Sequence, residues 1–112
     1  MTAAYPGLNV DEAKIVDAVE KRLYVDGRWV DASGGRTFDV LDPSTGEKLC
    51  SVADASPEDG RAALDAAVAA QPVFAKTSPR ERADMLTAAY ELLLERVDDL
   101  ALLMTLEMGK PL

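Results

Sequence analysis

Cys50 is the one thiol of a chain that contains no histidine, and that pairing narrows the chemistry sharply. A cysteine becomes a nucleophile when a helix N-terminus or nearby cations stabilise its thiolate. In "KLCSVAD" the only cation near it in sequence is Lys48, and the thiol is flanked by Leu49 and Val52 in a strand-like run. Cys50 therefore reads as inert packing. Without His, the commonest general base and the commonest metal ligand are both missing. Tetrahedral zinc, Cys-His and Ser-His-Asp arrangements are excluded on composition alone.

The carboxylates Glu95, Asp98 and Asp99 are close enough in sequence to suggest an acid/base pair. At a helix boundary they read instead as caps and solvated charges. Lys110 follows a helix end, where a cation is electrostatically favoured without any catalytic task. The glycines at 27, 34, 35, 46 and 60 form neither G-x-G-x-x-G nor a P-loop, so no phosphate cradle is legible. The reading assigns no catalytic, cofactor-binding or metal residue to this chain.

The elements that hold these residues follow from local pattern. Residues 1 to about 9, with Pro6, Gly7 and Asn9, read as a flexible lead-in. Ile15, Val16 and Val19 recur at helical spacing between Val10 and Arg22, with Asn9 or Asp11 as first-turn acceptors. Residues 1–22 are thus an N-terminal extension carrying a short helix. In "LYVDGRWV", Asp26-Gly27 between apolar β-formers predicts a tight hairpin, and Gly34-Gly35 a second turn. "RTFDVLDP" and "KLCSVAD" are further strands around a turn at Pro43 and Gly46. The latter places Leu49 and Ser51 on one face and Cys50 and Val52 on the other. An antiparallel hairpin and meander is expected over 23–53.

Three helices follow. Ser56-Pro57-Glu58-Asp59 is a start signal, and Leu64, Ala67, Val68 and Gln71 share a face of a helix over 57–71 that Pro72 kinks or ends. Ser78-Pro79-Arg80-Glu81 is a capping box opening a helix over 79–96, with Leu86, Ala89, Leu93 and Val97 as its stripe and Arg82 and Glu91 outside. The last helix covers 98–108 and stops at Gly109, a residue suited to a left-handed cap, before Pro111.

The totals agree with one folded unit. The 112 residues are 48% hydrophobic and 29% charged, which is a globular mixture. The net charge of −8 and scattered basic residues argue against nucleic acid. No run reaches the roughly 18 to 20 apolar residues of a membrane span, and no secretory leader is evident. With a single cysteine, the expected location is the cytoplasm.

The order of features, "LYVDGRWVDASGGRTFDVLDPSTGEKLCSVADAS", a capped alanine-rich helix, "SPRERADML" and "TLEMGKPL", resembles the N-terminal part of the aldehyde dehydrogenase superfamily over 23–112. "DPSTGE" at 42–47 is similar to the family's Asn/Asp-Pro-x-Thr-Gly-Glu turn, "LEMGKP" at 106–111 to its Glu-x-Gly-Lys-Pro segment, and Arg82 matches a common Arg. Within the superfamily the chain looks most like the succinate-semialdehyde branch.

The resemblance implies an α/β fold in which 23–112 is an incomplete N-terminal portion of an NAD(P)-binding domain. It implies oxidation of an aldehyde to a carboxylate by full-length relatives that use NAD or NADP and assemble as homo-oligomers. Their catalytic Cys and Glu lie in segments beyond Leu112, and Cys50 does not align with the nucleophile. The chain alone is therefore expected to bind no cofactor and to be inactive, its partner being the remainder of the enzyme. The family's monovalent cation site would have Val40, Leu41 and Glu107 as counterparts. A different reading treats the chain as a non-catalytic acidic helical module that pairs with itself or with a full-length dehydrogenase. Leu86, Leu93, Val97, Leu103 and Leu106 would line its partner surface.

Overall fold

The computed structural model describes residues 10–112; the lead-in over 1–9, including Asn9, lies outside the described residues. In order come helix α1 (Val10–Ala18), strands β1 (Leu23–Val25), β2 (Arg28–Val30), β3 (Thr37–Leu41) and β4 (Lys48–Ala53), and helices α2 (Pro57–Phe74), α3 (Pro79–Glu95) and α4 (Val97–Met108). The mixed α/β class and the order of elements are those the residue pattern leads one to expect.

The Asp26-Gly27 hairpin forms as its chemistry requires. Both residues take positive φ, 53° and 73°, so β1 and β2 pair antiparallel with Val25 opposite Arg28. Tyr24 and Trp29 face each other across this hairpin with ring centroids 5.0 Å apart.

The expected continuous meander is instead two separate two-stranded sheets, β1-β2 and β3-β4. The intervening loop is drawn toward α2: the Ser33 amide donates to both carboxylate oxygens of Asp59, at 3.2 and 3.1 Å, and the Ser33 and Ser56 hydroxyls lie 2.8 Å apart. With the loop held there, β2 pairs only with β1. The sheets remain tied by the Ala53 amide, which donates to the Lys21 carbonyl at 2.8 Å.

A register shift in the second sheet corrects another expectation. Val40 pairs with Cys50 but Leu41 pairs with Lys48, leaving Leu49 as the extra residue of a bulge. Simple alternation would put Leu49 beside Ser51. The bulge resets it, so that Leu49, Cys50 and Val52 line one cavity while Ser51 lines another. Leu49 is only 3% exposed and forms the core with Val16 and Leu106, against which Val40, Cys50 and Leu102 pack.

Helix ends also differ in detail from the sequence reading. α1 stops at Ala18 rather than continuing to Arg22, because the Lys21 ammonium folds back to donate to the carbonyls of Val16, Asp17 and Val19. α2 runs through Pro72 to Phe74. A proline so close to the end removes one amide without stopping the last turn, which the amides of Ala75, Lys76 and Thr77 close by donating to Gln71, Val73 and Phe74. α4 begins at Val97, sharing Arg96 with the end of α3, and Asp98 and Asp99 occupy its positive first turn.

Both serine start signals hold. The Ser56 hydroxyl accepts from the Asp59 amide at 3.2 Å while the Asp59 carboxylate accepts from the Ser56 amide at 2.8 Å. Ser78 and Glu81 repeat the exchange at 3.2 and 2.6 Å.

Candidate functional site

Two motifs distant in sequence meet in the fold. Asp42 opens the "DPSTGE" turn: its amide donates to the Glu47 carbonyl at 2.8 Å, and its carboxylate accepts from the Ser44 amide at 2.7 Å. The Gly46 amide donates back to the Asp42 carbonyl at 2.7 Å, which closes the turn and leaves Asp42 buried. On the other side, α4 ends in Gly109, at φ 77°, whose amide donates to the Thr105 carbonyl at 2.9 Å. A Cβ at Gly109 would meet Pro43 Cγ at 3.1 Å. The start of one motif is thus in van der Waals register with the end of the other, an arrangement that local pattern does not disclose.

A cavity of about 90 Å³ lies between α1, the second sheet and α4, lined by Val16, Val40, Leu49, Cys50, Leu103 and Glu107, among others. It joins two of the three residues matched to the family's cation site, Val40 and Glu107; Leu41 is half exposed and is not part of the lining. Among the described residues of the wall, Glu107 is the only carboxylate and the rest are apolar. Such a site would draw on the backbone carbonyls of Val40 and Leu41 together with the Glu107 carboxylate, and a hard cation gathers more oxygen ligands than these three residues supply. No group of three or more His, Cys, Asp or Glu able to hold a metal occurs among the described residues.

Cys50 faces this cavity, half-buried. Burial pushes its thiol above the ordinary range, and the Glu107 carboxylate pushes the same way. Lys21 and Lys48 oppose that shift without cancelling it. An activated nucleophile shows the opposite displacement.

A larger cavity of about 350 Å³ opens between the hairpin base, the 31–36 loop and the second sheet, with Lys21, Arg22 and Arg36 on its wall. These cations are already engaged. Arg22 grips Glu20 through two bonds of 2.7 and 3.0 Å, which holds the Glu20 carboxyl at about 2. Arg36 lies 3.7 Å from Asp54, and Lys21 caps α1. Asp31 on the same wall balances the charge further.

The remaining candidates are surface features. Glu95, Asp99 and Lys110 are exposed, as is Asp98. Arg82 does not simply point outward: its guanidinium donates to the Thr77 carbonyl at 2.6 Å and braces the α2-α3 turn. Asp59 was legible only as a first-turn acid; its clasp on Ser33 depends on a fold-level approach with no local signature. Of the proposed partner-surface residues, Leu86, Leu93 and Val97 are exposed, Leu103 is half-buried, and Leu106 belongs to the core.

Comparison with known proteins supplies what the geometry leaves open. The chain is 46% identical over 92 residues to the succinate-semialdehyde dehydrogenase (NADP(+)) of Escherichia coli K12, covering 82% of this chain and 19% of that protein. It is 45% identical, with the same coverage, to the glutarate-semialdehyde dehydrogenase of Pseudomonas aeruginosa. The crystal structure of an NADP dependent enzyme from E. coli superposes with a TM-score of 0.79 at 42% identity, over 82% of this chain and 19% of that one. The chain spans about a fifth of the length of the curated relatives it matches. A model of the aldehyde dehydrogenase family matches residues 29–112, three quarters of the sequence, and the chain belongs to that family.

Proposed function

We propose that residues 23–112 serve as the opening portion of an NAD(P)-binding aldehyde dehydrogenase domain, preceded by an extension over 1–22. The complete enzyme converts an aldehyde, water and NAD(P)+ to a carboxylate, NAD(P)H and two protons. Succinate semialdehyde is the substrate, the enzyme is a homo-oligomer, and the cytoplasm is its location. The 112 residues by themselves contribute scaffold and no turnover.

The observation that carries this reading is the contact of Pro43 with Gly109, which brings the two motifs most similar to the family against one core. It is supported by 46% identity to an enzyme of that specificity. A Cys50 thiol pushed upward by burial agrees with chemistry that resides elsewhere in the enzyme.

The test is a chimera in which this chain replaces the matching fifth of the E. coli succinate-semialdehyde dehydrogenase. Reduction of NADP+ with succinate semialdehyde is the expected result, with the 112-residue chain inactive alone. An inactive chimera that is folded and correctly assembled, or turnover by the isolated chain, would overturn the reading. The exposed stripe of α3 favours a second reading, a self-sufficient interaction module. A cooperative melt of a monodisperse isolated chain, paired with an inactive chimera, selects that alternative.

A further inference from the structure

Helix α1 lies outside the stretch matched by the family model, which begins at residue 29, yet it supplies Val16 to the core beside Leu49 and Leu106. Ala13 is buried on the same face, one turn earlier. With Val19 beyond the helix end, Val16 forms one side of the cavity that Cys50 faces; Leu49 and Val52 of β4 and Leu103 of α4 form others. The helix therefore sits over this cavity as a cover.

A helix of nine residues is too short to persist without support. Its last turn holds no basic residue, and Asp17 puts a negative charge where the carbonyl end is already negative. Compensation comes from beyond the helix. The Lys21 ammonium donates to the carbonyls of Val16, Asp17 and Val19, so its three protons all serve this one end. The Lys21 carbonyl in turn accepts from the Ala53 amide at the end of β4. Glu20, a further negative charge at the same end, is held by Arg22 through two bonds. Lys21 thus fastens the end of α1 with its side chain and the second sheet with its backbone.

We infer that α1 is a clasped lid: Lys21 holds it shut over the cavity between β4 and α4, and loss of the clasp unwinds α1 and opens that cavity while the remaining elements stay folded. The separability follows from placement. α1 packs chiefly on α4, and the fastenings of the other elements, the Asp26-Gly27 turn, the Pro43-Gly109 contact and the Asp59 clasp on Ser33, make no use of it. The lid is a property of this fold whatever reaction the complete enzyme performs.

The experiment uses Cys50 as the reporter of the lid in the full 112-residue chain. Maleimide labelling of Cys50 and amide hydrogen exchange over α1 and over β3-β4 are both read by peptide mass spectrometry. Lys21→Met removes charge-assisted hydrogen bonds at a helix end, and should speed Cys50 labelling about tenfold and exchange in α1 while leaving β3-β4 unchanged. Lys21→Arg keeps the charge and should label within about threefold of the wild type. Lys14→Met removes an exposed charge of the same helix and should change nothing. Unchanged labelling in Lys21→Met, or equal acceleration in Lys14→Met, overturns the clasp. Exchange that accelerates in α1 and β3-β4 together overturns the lid, because α1 then opens only with the whole fold. The wild type decides even where Lys21→Met does not fold: its Cys50 labelling should rise with urea far less steeply than global unfolding does. A slope equal to that of global unfolding, or labelling in water as fast as in denaturant, overturns the inference.

Discussion

Pro43 and Gly109 lie side by side: a Cβ placed on Gly109 would lie 3.1 Å from Pro43 Cγ, and Gly109 sits at φ 77°. Two separate demands fall on the glycine. The helix cap needs a left-handed residue, and the proline ring leaves little room for a side chain. Gly109→Ala should therefore destabilise the fold by about 1 to 2 kcal/mol. Adding Pro43→Ala should restore only the steric part, since the backbone strain stays. Urea unfolding of the two variants followed by far-UV circular dichroism separates the contributions.

The core is so small that its members carry unusual weight. Leu106 and Leu49 are 6% and 3% exposed, while Leu86 is 73% exposed. Leu106→Ala and Leu49→Ala should each cost about 2 to 5 kcal/mol, enough to abolish cooperative unfolding of the isolated chain. Leu86→Ala should change it by less than about 0.5 kcal/mol. Equal effects at positions 86 and 106 in thermal melts would contradict the burial described.

Ser56 and Ser78 cap α2 and α3 by the same geometry, but Asp59 has a further task that Glu81 lacks. Ser56→Ala and Ser78→Ala should each lose about 1 kcal/mol. Asp59→Ala should destabilise more than Glu81→Ala, because it also releases the Ser33 amide and frees the 31–36 loop. Amide hydrogen exchange at Ser33 reads this directly: it should accelerate in Asp59→Ala and stay unchanged in Glu81→Ala.

Acid should weaken the fold through these same caps. Backbone amides of Ser56 and Ser78 hold the Asp59 and Glu81 carboxyls below their ordinary values, as the Ser51 hydroxyl and Lys48 do for Asp39. A carboxyl lowered in the folded state binds its proton more readily when unfolded. Its contribution is thus complete above the ordinary carboxylate range and is lost as pH falls through the folded value. For Glu20, held by Arg22, the loss extends down to about pH 2. The melting temperature should fall as the pH drops below about 5, less steeply in Glu81→Gln.

The Cys50 thiol should be sluggish. Burial raises its pKa, so at neutral pH its reaction with a disulfide reagent should be slower than that of the unfolded chain. Stopped-flow labelling with and without denaturant measures the ratio; faster labelling in the folded state would contradict the packing role.

Much of this architecture is written in local residue chemistry. Asp26-Gly27 admits the two positive φ angles of a hairpin, Ser56 and Ser78 each satisfy a free amide three residues on, and Gly109 relieves the strain of a left-handed cap. Such features depend on atoms a few residues apart, so composition and spacing determine them. The family resemblance rests on the same short motifs, "DPSTGE" and "LEMGKP".

Tertiary structure decided what depends on distant neighbours. The loop over 31–36 leaves the sheet because Asp59 captures Ser33, and Leu49 changes face because one residue of β4 has no partner in β3. Lys21 ends α1 by reaching back to it, and Pro43 meets Gly109 only after β3 and α4 have packed on a common core. Each of these is a competition between a local preference and a contact made across the fold. The outcome is set by which groups folding brings within hydrogen-bond or van der Waals range, a distance that spacing along the chain does not encode.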